Sequence, residues 1–299
     1  MQDGLSIFCP AKINLGLKVS QKRSDGYHDL QSIFMTVPLF DRMEVSLGGR
    51  TGTCQVDCEP MGLPPRNTIT KAYDAFREVM DFDGGVKVWL EKHIPIGGGL
   101  GGGSSDAASF IWALGVLLGV TDNPDWLTLI AGKTGSDSFF FAHALASLDD
   151  LNTFQPFAAV VEGRGDKVRA IPCRKDFCVL LSFPDLSVST EEAYWMLDRQ
   201  REKEGFSAEA IESIDFYPEK MYNLPVRDWK FENDFTVPLC AHSLEVKDAL
   251  QDMKSSGADF CDMTGSGSCV FGVFEDAQKA RQVEAVLGKK RGVALCSFV

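Results

Sequence analysis

The stretch IPIGGGLGGGSSDAASFIWALGVLLG, residues 94 to 119, decides how the rest of the chain is read. Six of the seven residues from Gly97 to Gly103 are glycine, and only Leu100 interrupts them. Ser104, Ser105 and Asp106 follow as N-cap candidates for an almost wholly apolar helix from Ala107 to about Leu118, with Gly119 as its stop signal. Val86 to Glu91 alternates as a strand just upstream, so the unit is strand, glycine loop, buried helix. Gly97, Gly99 and Gly102 satisfy the dinucleotide pattern GxGxxG, with Asp122 about 20 residues on. That fingerprint usually opens its domain, whereas strand-like segments precede this one. A Walker loop does not fit, because no Lys follows the last Gly. Two readings stay open beside the dinucleotide one. Backbone N–H groups at the start of a buried helix can cradle phosphates, or the glycines can simply let backbones pack closely.

Upstream, Ser6 to Cys9, Ile13 to Val19, Gln31 to Val37 and Arg42 to Leu47 alternate as four short strands, with SDGYH at 24 to 28 as a turn. Asn67 is placed to cap a helix over Ile69 to Met80, ended by Gly84-Gly85. Downstream, Asp125 to Thr134 reads as a short helix. GSD at 135 to 137 leads into the aromatic run Phe139 to Phe141, and a polar loop covers Leu148 to Gln155. Phe157 to Val161 precedes the turn EGRGD at 162 to 166. The texture changes near Cys173, which sets two domains, 1–172 and 173–299. In the second, Cys178 to Phe183 is a strand, Arg199 to Lys230 is charged and irregular, and Asn233-Asp234 caps one helix leading to Ser255. Asp259 to Met263, the turn TGSGS, Cys269 to Phe274, Asp276 to Leu287 and Val293 to Phe298 give hairpin, helix and strand, as in a ferredoxin-like layer. The class expected is α+β.

The 299 residues carry 30 Lys+Arg against 42 Asp+Glu, a formal charge of −12. That balance excludes nonspecific binding to nucleic acid or an anionic membrane as the main role and requires a local positive site for any anionic substrate. Nine Cys, an odd number with no CxxC pair, read as reduced thiols in the cytoplasm. No basic stretch followed by an apolar one opens the chain, and the apolar run Ala107 to Val120 is too short to span a bilayer. His93, His143 and His242 form no ligand pattern, there being neither HExxH nor GxSxG, and His143 reads as a loop or surface residue. Lys12, in an alternating strand, and Tyr27-His28, in a turn, carry no signal when taken alone.

Their company changes this. PAKINLGLKV at 10 to 19, DGYHDLQSIF at 25 to 34, NTITKAY at 67 to 73, the glycine loop with SSDAA, GSD, EGRGD, and MTGSGSCVFGVF at 263 to 274 occur in one fixed order. Together they resemble the GHMP kinases over nearly the whole chain. The resemblance implies a ribosomal-S5-like ATP-binding domain, a ferredoxin-like second domain, an active site in the cleft between them, and ATP with Mg²⁺ as cofactors. By motif matching, Asp137 would be the base and Lys12 its partner. Gly97, Gly98, Gly99, Leu100, Gly101, Gly102, Gly103, Ser104 and Ser105 would wrap the ATP phosphates, with Asn67 and Lys92 near the nucleotide.

PAKINL and DGYH narrow the resemblance to a branch whose acceptor is a small-molecule cytidine diphosphate substrate with a tertiary alcohol. Asn14, Tyr27, His28, Thr190 and Tyr194 would take its cytidine end, and Gly265, Ser266 and Gly267 would close on the substrate side. No dedicated metal cluster is visible, Ser105 being a candidate contact, and the oligomeric state is not assigned. After GSD the family typically reads VPFF; here SFFF runs into AHALASLDDLNTFQPFAAVV, longer and without that Pro, so 138–161 is atypical. A different superfamily kinase and a catalytically idle metabolite sensor are the competing readings.

Overall fold

The computed structural model describes residues 4–121, 125–148, 153–205 and 217–298. Asp122, part of the polar loop at 148 to 155 and part of the charged stretch at 199 to 230 lie outside the described residues. The chain divides into two compact units, one of Met1–Ala11, Leu39–Ile94 and Gly101–Gln155, the other of Lys12–Pro38, Pro95–Leu100 and Pro156–Val299.

Two long strands, β1 (Gly4–Lys22) and β2 (His28–Leu47), contribute residues to both units and replace the four short strands expected from the sequence. Pro10 and Pro38 lie at two of the expected breaks, because proline lacks a ladder donor, and the strands run through both. Gly16 takes φ +67° inside β1, and its carbonyl accepts the Ser32 hydroxyl of β2.

In the first unit the far half of β2 pairs antiparallel with β4 (Val86–Glu91), Arg42 opposite Glu91 and Leu47 opposite Val86. β4 pairs parallel with β3 (Cys54–Glu59), and helix α1 (Thr68–Met80) makes the crossover. Asn67 caps α1 as expected, in a reciprocal box with Thr70. The helix ends at Met80 as expected, but what stops it is Asp81, at φ +48°, rather than the glycine pair. Helix α2 (Gly102–Leu118) is flanked by α3 (Asp125–Ala131) and α4 (Ser136–Ala146) and packs on α1. It begins inside the glycine run. Gly101, at φ +73°, is its N-cap, so Ser104, Ser105 and Asp106 lie within its first two turns rather than ahead of it. Gly119 ends it as expected, at φ +69°. His143 is on α4 and half-buried, not in a loop, and burial pushes its pKa down.

In the second unit the near half of β2 pairs antiparallel with β5 (Ala158–Gly163), and β5 with β6 (Lys167–Ile171) across the EGRGD turn. A separate antiparallel sheet has the order β10-β7-β9-β8, from β7 (Cys178–Phe183), β8 (Phe260–Met263), β9 (Val270–Phe274) and β10 (Gly292–Ser297). With α5 (Thr190–Glu204) after β7 and α9 (Ala277–Leu287) after β9, this is the ferredoxin-like order. Between α5 and β8 come α6 (Pro218–Tyr222), a 3₁₀ turn at Val226–Asp228, α7 (Thr236–His242) and α8 (Leu244–Ser255). The single helix expected up to Ser255 is thus two. Ser243 leaves helical geometry, at φ −128° and ψ 124°, and its hydroxyl caps α8 by accepting from Val246 N. Leu17, Leu180, Leu197, Phe235, Met253 and Phe274 belong to the core that packs these helices on the sheet. All nine cysteines are free thiols.

Candidate active site

Strand alternation places Lys12 and Asn14 on one face of β1, and that face is buried: Lys12 is 2% exposed and Asn14 1%. A buried ammonium needs acceptors. The Lys12 Nζ donates to Asn14 Oδ1 at 2.6 Å and lies 4.8 Å from the centroid of the Phe34 ring. Asn14 is fixed in turn. Its Nδ2 donates to Ser32 Oγ at 3.3 Å, and its backbone N donates to Thr264 Oγ1 at 3.0 Å.

The first glycines of the loop lie against the second glycine turn. Gly97 and Gly99 take φ of +76° and +73°, and a Cβ at Gly99 would fall 2.2 Å from the Thr264 carbonyl oxygen. Gly265, at φ +57°, is as tightly placed, its Cβ position 2.7 Å from the Gly99 oxygen. Cys269 N donates to Gly98 O at 3.2 Å, and Lys12 N donates to Leu100 O at 2.9 Å, tying Leu100 to β1. Only glycine allows this approach of backbone to backbone.

On the side expected for the cytidine, His28 stacks on Tyr194 of α5 with centroids 4.9 Å apart and planes 27° from parallel. His28 Nδ1 lies 3.0 Å from the Ser20 carbonyl, which as an acceptor fixes the proton on that nitrogen, and Nε2 lies 3.5 Å from Asp198. Tyr194 also meets the edge of Phe235 at 4.9 Å. Tyr27 stands apart from that stack: it is 53% exposed, with the Arg164 guanidinium 3.6 Å over its ring. Thr190 opens α5, and its Oγ1 lies 3.4 Å from Ser266 Oγ.

The first unit holds the remaining expected residues. Asn67 spends its side chain on the α1 cap, accepting from Ile69 N and Thr70 N at 3.0 Å each and donating to Pro64 O at 3.0 Å. Lys92 is buried between two carboxylates, pairing with Asp41 and, at 2.8 Å, with Asp106. Asp41 also accepts from His93 N and Ile94 N at 2.6 and 2.8 Å. Burial pushes the Asp106 carboxyl up against the pull of Lys92. A Cβ at Gly102 would come within 2.9 Å of Ile94 Cγ2 and 3.3 Å of Lys92 Nζ, so glycine is needed where α2 passes this pair.

No side chain caps the N-terminus of α2, where Gly101 to Ser104 are partly exposed. Ser105 Oγ is buried without a hydrogen-bond partner. Ser104 Oγ lies 3.4 Å from the Cβ position of Gly135, which brings the GSD turn to the start of α2, and Asp137 sits in the first turn of α4. A carboxylate there is favoured by the helix dipole. Among the described residues no group of three His, Cys, Asp or Glu could hold a metal.

Sequence reasoning assigned Ser32, Asp41 and Arg164 no role at the site, and Asn233 only that of a helix cap. Ser32, Arg164 and Thr264 stand inside the quoted motifs DGYHDLQSIF, EGRGD and TGSGS, but their partners are distant in the chain, and Asp41 carries no local signal.

Comparison with known proteins bears on the whole chain. The GHMP kinases N terminal domain matches residues 67–144 and the GHMP kinases C terminal domain matches 231–294. A 4-diphosphocytidyl-2-C-methyl-D-erythritol kinase of Treponema pallidum is 34% identical over 294 residues, covering 96% of this chain and 95% of its own. One from Geobacter sp. is 33% identical over 290 residues, 96% of each. The crystal structure of a 4-(cytidine 5'-diphospho)-2C-methyl-D-erythritol kinase superimposes with a TM-score of 0.78 at 28% identity, covering 98% of both chains. A homoserine kinase from Cytophaga hutchinsonii, at 17% identity and a TM-score of 0.67, shares the fold, covering 100% of this chain and 96% of its own. The chain belongs to the 4-diphosphocytidyl-2-C-methyl-D-erythritol kinase family of the GHMP kinases.

Proposed function

We propose that this kinase transfers the γ-phosphoryl group of ATP to the 2-hydroxyl of 4-diphosphocytidyl-2-C-methyl-D-erythritol, giving the 2-phosphate and ADP in non-mevalonate isoprenoid precursor synthesis. The observation that carries the reading is the glycine-opened N-terminus of α2, which no side chain caps, in a chain similar to these kinases over 96% of its length. Residues 1–172 would form the ATP-binding domain and 173–299 the substrate-side domain. No helix among the described residues is long and apolar enough to cross a membrane, and the setting proposed is the cytoplasm.

Phosphoryl transfer asks for in-line placement and charge stabilisation more than covalent help. The amides of Gly101 to Gly103 and the α2 dipole would hold the phosphates, the amides of Ser104 and Ser105 being turned onto the Gly101 carbonyl at 3.0 and 2.9 Å. The Asp137 carboxylate would accept the proton of the acceptor hydroxyl, and the Lys12 ammonium, oriented by Asn14, would offset the charge developing on the alkoxide. Tyr27, His28, Thr190 and Tyr194 would bind the cytidine end, with aromatic faces for the base and polar edges for its identity. Gly265 to Gly267 would back the phosphate loop.

The residues fit a Mg²⁺ carried in on the nucleotide. The Ser105 hydroxyl has no partner of its own, and no carboxylate cage competes for the ion among the described residues. Ser104 and Ser105, with the phosphate oxygens, would hold it, and it would supply charge neutralisation at the triphosphate.

The test is ADP release from Mg-ATP and 4-diphosphocytidyl-2-C-methyl-D-erythritol, run beside Asp137→Asn, with the site of phosphorylation read by NMR. Turnover at the 2-hydroxyl that the variant loses is the expected result. ATP binding without turnover would point to another acceptor or to a sensor.

A further inference from the structure

Asn14, the residue that holds Lys12, is itself held by two hydroxyls, and that of Thr264 grips it at two points. Thr264 Oγ1 accepts from the Asn14 backbone N at 3.0 Å and donates to Asn14 Oδ1 at 3.2 Å, so one side chain fixes both the backbone and the amide of Asn14. The amide orientation is determined chemically. An ammonium only donates, so Oδ1 must face Lys12; Ser32 Oγ gives its proton to the Gly16 carbonyl and is left to accept from Asn14 Nδ2.

Thr264 is wholly buried and pinned from both sides. Its backbone N donates to Cys269 O at 3.0 Å, and its carbonyl accepts from Gly267 N at 3.1 Å. Asn233, ahead of α7, donates from Nδ2 to Met263 O at 2.8 Å and to Gly265 O at 2.9 Å, the two carbonyls flanking Thr264. Asn233 is set in turn by its N–H to Asp262 Oδ2 at 2.9 Å and by Phe235 N donating to its Oδ1 at 3.0 Å. The same segment grips β1 directly: Leu17 N donates to Glu232 O at 2.9 Å, and Asp234 N to Leu17 O at 3.0 Å.

We propose that Thr264, anchored by Asn233, is a positioning residue for the transfer reaction, acting through Asn14 to hold the Lys12 ammonium in its working orientation. The proposal rests on the reading of Lys12 as the group that stabilises the acceptor oxygen. It assigns the second glycine turn a task besides backing the phosphate loop. Misplacing a charged group by about 1 Å can cost about 10² in rate while leaving binding intact.

The experiment compares Thr264→Val, which keeps the shape and removes the hydroxyl, with Thr264→Ser, which keeps the hydroxyl, in wild-type and Lys12→Ala backgrounds. Expected are a fall in kcat of about 10- to 100-fold for Thr264→Val with both KM values within about 2-fold of wild type, and a kcat for Thr264→Ser within about 3-fold. In the Lys12→Ala background Thr264→Val should cost almost nothing more, because the group it positions is gone. Thr264→Ala, with no added bulk, replaces the valine variant if that does not fold. Equal losses in the valine and serine variants, or a full further loss in the Lys12→Ala background, overturn the relay. Normal turnover by Lys12→Ala itself overturns the reading of Lys12, an outcome distinct from the first two.

Discussion

Lys92 Nζ and Asp106 Oδ2 meet at 2.8 Å with their side chains 5% and 4% exposed, and Asp41 completes the group on the other side of the ammonium. Through Asp106 this pair fixes the first turns of α2. Removing the cation leaves two carboxylates buried without their countercharge, a loss that typically costs about 3 to 5 kcal/mol. Lys92→Met is therefore expected to lower the urea midpoint by a matching amount and to raise KM for ATP more than KM for the acceptor. A wild-type midpoint in this variant would show that the pair does not hold the helix.

Lys12 and Asp137 are expected to behave as chemical rather than binding groups. Lys12→Ala and Asp137→Asn should each lower kcat by about 10² to 10⁴, the usual range for a general acid–base contribution, and change either KM far less. Steady-state ADP release measures this. Near-normal turnover in either variant would sink its assignment.

Gly99 and Gly119 have nearly the same φ, +73° and +69°, but different surroundings. A Cβ at Gly99 would collide with the Thr264 carbonyl, whereas Gly119 has nothing within 4 Å. Alanine at Gly119 should cost only the left-handed strain, about 1 to 2 kcal/mol, and spare activity. Alanine at Gly99 should push apart the two glycine turns of the second unit, with a larger stability loss and a fall in kcat. Chemical denaturation and turnover of the two variants, compared side by side, check the contrast; equal effects would refute it.

The elements legible in the sequence are those whose signals are local. Asn67 marks a cap, the alternation of Val86 to Glu91 marks a strand, and Asp276 marks the start of α9, which it caps through Gln278 N and Lys279 N. The helix break at Ser243 was concealed by apolar residues that continue on either side of it. The early start of α2 was concealed because serine and aspartate are better caps by preference than Gly101, whose positive φ decided the matter. For the proposed site, motif order pointed to Lys12, Asp137 and the glycine loop. Thr264 was not tied to Asn14, since 250 residues separate them, nor Asp41 to Lys92, 51 apart, because pairing across the fold leaves no trace in spacing.

Tyr27 and His28 are adjacent in sequence but differently placed, the first exposed beneath Arg164 and the second buried on Tyr194. Loss of an exposed ring costs little stability, typically within about 0.5 kcal/mol. Tyr27→Ala should therefore fold normally and raise KM for the cytidine substrate more than KM for ATP. Arg164→Ala should act in the same direction and more weakly, through the ring it covers. Kinetics with each substrate varied in turn decide this, and equal effects on both KM values would count against placing the cytidine here.

Asp262 carries a pH dependence whose sign is fixed by its burial. Desolvation pushes its carboxyl up to about 6, although Thr236 Oγ1, Met263 N and Asn233 N all donate to it and pull the other way. In the unfolded chain the same group titrates near the ordinary aspartate value of about 3.9. Between those values the folded protein holds a proton that the unfolded chain releases, so stability from this group is complete below about pH 4 and is lost as pH rises through about 6. Asp262→Asn removes that titration. It also replaces an acceptor by a donor opposite Asn233 N, so the variant should be less stable than wild type at pH 5. Its deficit should narrow at pH 6 and narrow further at pH 7.5, as the wild-type carboxylate becomes charged in its buried site. Urea midpoints of both proteins at the three pH values measure the difference directly. A deficit that stays constant, or grows with pH, would mean that Asp262 is ionised throughout and that its three donors outweigh its desolvation.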